Sequence, residues 1–142
     1  MKAEGPLIGR AVARYLKTRK EILAGYIFGS TANDRQRPDS DVDIAVLLNT
    51  TVPISRYLNY RLQLMADLGS LLGSDVDLVI LNQATPLLAH RVLSKGKLIF
   101  ERSAKERVRF QVRTASLYSD LIPMFETQIR YLKKQARGKA VG

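Results

Sequence analysis

Residues 29–48 read GSTANDRQRPDSDVDIAVLL, and residues 75–81 read DVDLVIL. In the first stretch, Asp41 to Leu48 predicts a β-strand whose far end is apolar on both faces, as in a central strand covered on both sides. Strand side chains alternate, so Asp41 and Asp43 share a face with Cα atoms about 6.5–7 Å apart. Upstream, Ala24-Gly25-Tyr26-Ile27-Phe28 predicts a short buried strand that ends at Gly29-Ser30. The ten residues TANDRQRPDS (31–40) between the two strands are rich in turn formers and predict a polar loop.

The second stretch predicts another strand, Asp75 to Leu81. If it pairs beside Asp41–Leu48, Asp77 lies one strand spacing from the first pair, about 4.8 Å across the sheet. Three carboxylates then converge on one sheet end, and without compensation at least one of them keeps its proton. Two Mg²⁺ ions offset the three charges and leave one positive charge facing a ligand. A nucleoside triphosphate carries the matching negative charge, and ligands that are all oxygen suit Mg²⁺ better than zinc. Gly29-Ser30 at the preceding strand end fits the same picture. A tight turn there offers backbone N–H groups and the Ser30 hydroxyl to phosphate oxygens, and a glycine lets the phosphate approach. Arg35 and Arg37 add charged donors in the loop. Singly these signals are common, since Gly-Ser pairs make turns and Asp-x-Asp often caps a strand. Their joint order and spacing is what points to chemistry.

The rest of the chain frames this core. Pro6 opens a helix with Leu7, Ile8, Val12, Tyr15, Leu16 and Ile22 at helical spacing. Residues 54–72 predict a second amphipathic helix, between Pro53 and Gly73, with Ile54, Tyr57, Leu58, Leu62, Met65, Leu68 and Leu72 on its apolar stripe. Thr85-Pro86 caps a short helix that closes at Gly96, and Leu98-Ile99-Phe100 predicts a brief strand. Ser103 and Glu106 have capping-box spacing and open a long final helix. Its apolar positions are Phe110, Leu117, Tyr118, Leu121, Phe125, Ile129 and Leu132, and Pro123 should kink it. The order α-β-β-α-β-α-β-α gives the fold class α/β: a small mixed β-sheet with flanking helices and a long C-terminal helix. Residues 1–142 read as one domain, with its core at about 22–100 and its last helix at about 103–137.

Composition removes several classes of function. The chain has 142 residues, no Cys, no Trp and one His, His90. Disulfides and thiolate metal sites are therefore excluded, and a histidine-rich zinc site nearly so. Any triad with a histidine base would have to use His90, which reads instead as a partly exposed helix residue. No stretch approaches a membrane span and the N-terminus lacks a signal-peptide pattern, so the expected compartment is the cytoplasm. The net charge of +10 is unevenly placed. Residues 24–101 carry seven basic and eight acidic groups, whereas residues 102–142 carry ten basic and three acidic ones. A basic end favours a polyanion or an acidic protein partner, and serves solubility equally well. Nucleic acid is the less favoured partner, because no aromatic residues interleave the terminal KKQARGKAVG. Tyr118 and Asp120 fit packing or interface roles, Asp39 a turn cap, and Arg107, Arg109 and Arg113 a solvated or partner-facing stripe.

On GSTANDRQRPDSDVDIAVLL and DVDLVIL, the chain resembles the minimal nucleotidyltransferases of the DNA polymerase β-like superfamily over about residues 22–100. The nearest subgroup is the antitoxin partners of HEPN-domain ribonuclease toxins. The resemblance implies the minimal nucleotidyltransferase fold, and a cytoplasmic enzyme that uses ATP and Mg²⁺ to transfer AMP to a tyrosine of its HEPN toxin, with which it forms a hetero-oligomer. It implies that Gly29 and Ser30 hold the triphosphate and that Asp41 and Asp43 hold metal. Asp77 is the third carboxylate in this pattern, both a metal ligand and the base for the acceptor's proton. Asp75 competes for that place, with Asp77 preferred because it directly precedes the apolar run. One departure stands out: Asn33-Asp34 replace the family's usual Arg-Gly, which puts one phosphate contact in doubt and leaves Arg35 or Arg37 to supply it. Three rivals remain. They are an inactive antitoxin that neutralises by binding, a small-molecule nucleotidyltransferase, and an enzyme that adds nucleotides to RNA or DNA. The last two normally carry further domains. The chain is not itself the ribonuclease, because no Arg and His occur in the Arg-x(4–6)-His-x-Tyr pattern.

Overall fold

The computed structural model describes residues 5–29 and 41–141. The elements follow the expected order: α1 (Gly5–Lys17), β1 (Ile22–Phe28), β2 (Val42–Leu48), α2 (Tyr57–Leu72), β3 (Val76–Ile80), α3 (Pro86–Lys95), β4 (Lys97–Glu101) and α4 (Ala104–Val141). A short 3₁₀ turn, Ile54–Arg56, precedes α2, so only the later part of the expected 54–72 helix is α-helical. The four strands form one mixed sheet in the order β3-β2-β1-β4. β1 pairs antiparallel with β2 and with β4, while β2 and β3 run parallel through the α2 crossover.

Strand alternation sorts the core onto the two sheet faces. Val42, Ile44, Val46 and Leu48 of β2 and Val76, Leu78 and Ile80 of β3 point to one side, against Ile8, Val12 and Leu16 of α1 and Leu64 and Leu68 of α2. Ala45 and Leu47 point to the other, with Ala24, Tyr26, Leu81, Ala89 and Val92, under α3 and the start of α4. Asp43 and Asp77 have the parity of this second face.

The helix signals read from the sequence hold at several ends. The Thr85 hydroxyl accepts from the Leu88 N–H at 3.2 Å, and Ser103 Oγ accepts from the Glu106 N–H at 3.2 Å. Glu106 itself turns outward to Arg109 at 3.1 Å. Gly73 ends α2 with φ 62°, a left-handed cap that glycine adopts without a Cβ clash.

Two helix faces differ from expectation. In α2 the buried row is Tyr57, Tyr60, Leu64, Leu68 and Leu72, whereas Ile54, Leu58 and Leu62 are exposed. Two adjacent i, i+4 rows of apolar side chains run along this helix, and spacing alone does not choose between them. Leu7 of α1 is also outward, and Ile22 belongs to β1 rather than to the first helix. In α4 the inner line of Phe110, Tyr118, Leu121 and Phe125 is half-buried, but Leu117, Ile129 and Leu132 are exposed. The helix continues through Pro123, whose carbonyl accepts from the Thr127 hydroxyl at 2.9 Å. Long as it is, no helix among the described residues is long and apolar enough to cross a membrane.

The N-terminal helix is tied down by polar contacts. Arg102 Nε donates to the Ile22 carbonyl at 3.0 Å, and its Nη2 donates to the Lys17 carbonyl at 2.9 Å, which satisfies acceptors left open at the end of α1. Tyr15 of α1 donates to Asp67 of α2, and Tyr60 donates to Glu21 at 2.8 Å.

Candidate active site

β2 is central in the sheet, so Asp43 has a neighbour on each side. Its antiparallel partner is Phe28, the last residue of β1, and its parallel partner is Asp77. Gly29 follows Phe28 with φ +69°, in the left-handed region that favours glycine. A Cβ on Gly29 would run into the Asp43 carboxylate. The turn and the carboxylate are thus packed against each other, and only a glycine leaves that corner open. The triphosphate-binding expectation for Ser30 lies outside the described residues, as do the expectations for Asn33, Asp34, Arg35, Arg37 and Asp39.

The electrostatics mark the same point. Asp43 is half-buried, and its carboxyl is pushed above the ordinary carboxylate value, first by burial and then by the negative charges of Asp77 and Asp41. Asp41 is exposed, just before β2. Asp77 stands in register with Asp43, whereas Asp75 lies before β3, where its backbone carbonyl accepts from the Val42 N–H at 2.9 Å. The register therefore makes Asp77, not Asp75, the direct neighbour of Asp43.

The expected convergence of three carboxylates is only partial. Among the described residues, no three His, Cys, Asp or Glu side chains are grouped so that they could hold a metal ion. Asp77 Oδ1 instead meets Arg61 Nη2 at 3.5 Å. The Arg61 Nε donates to the Leu78 carbonyl at 2.8 Å, so this side chain from α2 reaches round the edge strand β3. Sequence reasoning missed Arg61. Its contact crosses a parallel β-α-β connection, and nothing in its neighbours announces it.

The donor chemistry still fits a hard divalent cation. Every candidate ligand is a carboxylate oxygen, and the central one is desolvated and repelled by its neighbours. His90 stays out of this group. It is half-buried on α3 and stacked on Tyr118 of α4, with ring centroids 3.7 Å apart and an interplanar angle of 3°. Both rings serve helix packing.

Known proteins are similar to this chain in sequence and in fold. The chain is 38% identical to the protein adenylyltransferase MntA of Shewanella oneidensis over 97 residues, which are 68% of this chain and 66% of that protein. A crystal structure of a toxin–antitoxin with AMP-PNP matches with a TM-score of 0.74 and 30% identity, over 88% of this chain and 98% of that one. A structure of tri-AMPylated Shewanella oneidensis HEPN toxin in complex with MNT antitoxin matches with a TM-score of 0.70 and 28% identity, over 91% of this chain and 98% of that one. The model of the polymerase beta nucleotidyltransferase family matches residues 10–105, the stretch that carries the Gly29 turn and all the candidate carboxylates. This chain belongs to the polymerase beta nucleotidyltransferase family.

Proposed function

We propose that this chain is a protein adenylyltransferase antitoxin, which transfers AMP from ATP to a tyrosine hydroxyl of a partner HEPN ribonuclease toxin. The observation that carries the reading is the parallel register that sets Asp77 beside Asp43 under the Gly29 turn. The likeness to MntA and to toxin–antitoxin structures with AMP-PNP and with AMPylated toxin supports the choice of nucleotide, acceptor and partner.

The chemistry is an in-line displacement. The acceptor oxygen forms a bond to the α-phosphorus, the bond from that phosphorus to the β-phosphate oxygen breaks, and pyrophosphate leaves. Gly29 lets the triphosphate approach the strand end, with Ser30 as its hydroxyl donor. Asp41, Asp43 and Asp77 are the residues that would hold Mg²⁺, which when bound supplies charge neutralisation on the phosphates and a lower pKa for the attacking hydroxyl. A tyrosine hydroxyl ordinarily loses its proton near pH 10, so it needs such help at neutral pH. Asp77, the carboxylate on the edge strand, takes that proton. Arg61 holds one of its oxygens in place.

Intact-mass spectrometry tests this directly. A candidate HEPN partner protein is incubated with ATP, Mg²⁺ and the purified chain. The expected result is a gain of one or more AMP units on a tyrosine. A tight complex with no mass gain would replace the reading with an antitoxin that acts by binding alone. Neither complex nor gain would turn attention to small-molecule or RNA acceptors.

A further inference from the structure

At the opposite end of the same sheet face lies a cavity of about 480 Å³. It opens between Leu23 of β1, Leu47 of β2, the segment around Ile54, the start of α3 and the first turns of α4. Neither Gly29 nor any candidate carboxylate lines it. Leu47 lies four positions along β2 from Asp43, about 13 Å of extended chain.

Three features say what the cavity takes. The first is Thr114, which lines it and is the one buried polar residue among the described residues, 4% exposed. Its hydroxyl makes no hydrogen bond among them. The hydroxyl oxygen is not among the buried polar atoms that lack a partner, so it opens to the cavity, where an incoming polar group would take the place of water on it. The second is the rim charge. Glu106 and Arg109 neutralise each other at 3.1 Å, while Arg113, one turn further along α4, has no ionic partner among the described residues. The third is the mouth, where Ile54 is 77% exposed and Leu117 43%. A small ligand would fill the cavity and leave these side chains wet. An occupant that also covers the rim is a protein segment. The excess of basic groups in residues 102–142 selects an acidic one.

We propose that this cavity is the anchor pocket for the partner protein. An acidic segment of the partner seats large apolar side chains between Leu47, Leu117 and Phe110, hydrogen-bonds the Thr114 hydroxyl and sets a carboxylate beside Arg113. The proposal deepens the preceding reading and rests on it, since the partner meant is the HEPN protein. It places the grip on that partner away from the nucleotide chemistry.

The test is calorimetric titration of the full-length chain with the HEPN protein. Arg113→Glu and Leu117→Asp change exposed positions and should leave the fold intact, which circular dichroism checks. Each is expected to weaken the complex about tenfold or more, and to raise the KM for the HEPN protein in the transfer assay. Thr114→Val, nearly isosteric, should weaken it by a smaller factor. Asp43→Asn should bind within about twofold of the unmutated chain while losing transfer. Unchanged affinity of Arg113→Glu and Leu117→Asp, against a firm complex with the unmutated chain, would overturn the pocket and leave the adenylyltransferase reading standing. Binding of dodecanoate to the cavity, with the partner's affinity unaffected by it, would likewise overturn the pocket in favour of a small amphipathic anion. Failure of the unmutated chain to bind the HEPN protein would overturn both.

Discussion

The two faces of the sheet are built from the same strands and are finished differently. On one face Val42, Ile44, Val46 and Leu48 lie wholly under α1 and α2, and the strand is apolar from end to end. On the other, β2 and the residue before it present Asp41, Asp43, Ala45 and Leu47, so a single strand runs from carboxylates through a small core to the edge of a cavity. The closed face carries most of the burial and so most of the stability. The second face is half-covered: its Asp43 end keeps a group that a stability-driven core would not contain, a desolvated carboxylate with like-charged neighbours, and its other end opens into the cavity beside Thr114. Such a carboxylate is tolerated because the first face supplies the free energy that it costs.

That division can be broken by substitution. The largest effect belongs to Asp43→Asn. It should lower AMP transfer by about a thousandfold or more while the circular dichroism spectrum is retained. Loss of the fold with the activity would mean that the faces are not separable. Next, Leu64→Ala on the closed face should cost about 2–5 kcal/mol in urea unfolding, because Leu64 is fully buried. Leu58→Ala, one residue row away and 62% exposed, should change stability by less than about 0.5 kcal/mol. Equal losses would show that the helix face has been assigned wrongly. Arg102→Ala removes the donors that close the end of α1 and should cost about 1–3 kcal/mol by the same measurement, without affecting turnover of the folded enzyme.

The smallest effect has the most telling sign. The folded-state pKa of Asp43 is raised, so the native chain holds this proton more tightly than the unfolded chain does. Its ionisation therefore works against folding above the unfolded value, and the penalty fades as pH falls and both states become protonated. In metal-free buffer, Asp43→Asn should melt about 1–3 °C higher at pH 7, and the difference should shrink towards pH 4 and vanish below about pH 3. A lower melting temperature at pH 7 would mean that the carboxylate stabilises the fold.

Much of this was legible in the sequence because it depends on local rules. The order of elements, the caps at Thr85 and Ser103, the left-handed end at Gly73 and the shared parity of Asp41 and Asp43 all follow from residues a few positions apart. The pairing of Asp77 with Asp43 was also within reach, since two stretches that both begin Asp-Val-Asp and continue apolar invite parallel alignment. What escaped is what tertiary contact decides. Spacing marks two apolar rows on α2 and does not say that Tyr60 and Leu64 face inward rather than Leu58 and Leu62. Arg61 meets Asp77 only because a helix crosses over an edge strand. The α4 pattern likewise gives the helix its length, but not the fact that its later apolar side chains stay uncovered.

The most direct measurement compares Asp77→Asn with Asp75→Asn in transfer of radiolabelled AMP from ATP to the HEPN protein. The account expects Asp77→Asn to lose transfer nearly as completely as Asp43→Asn, and Asp75→Asn to keep most of it, because only Asp77 stands in register beside Asp43. Retained transfer by Asp77→Asn, or loss confined to Asp75→Asn, would contradict the assignment of this sheet end as the active site.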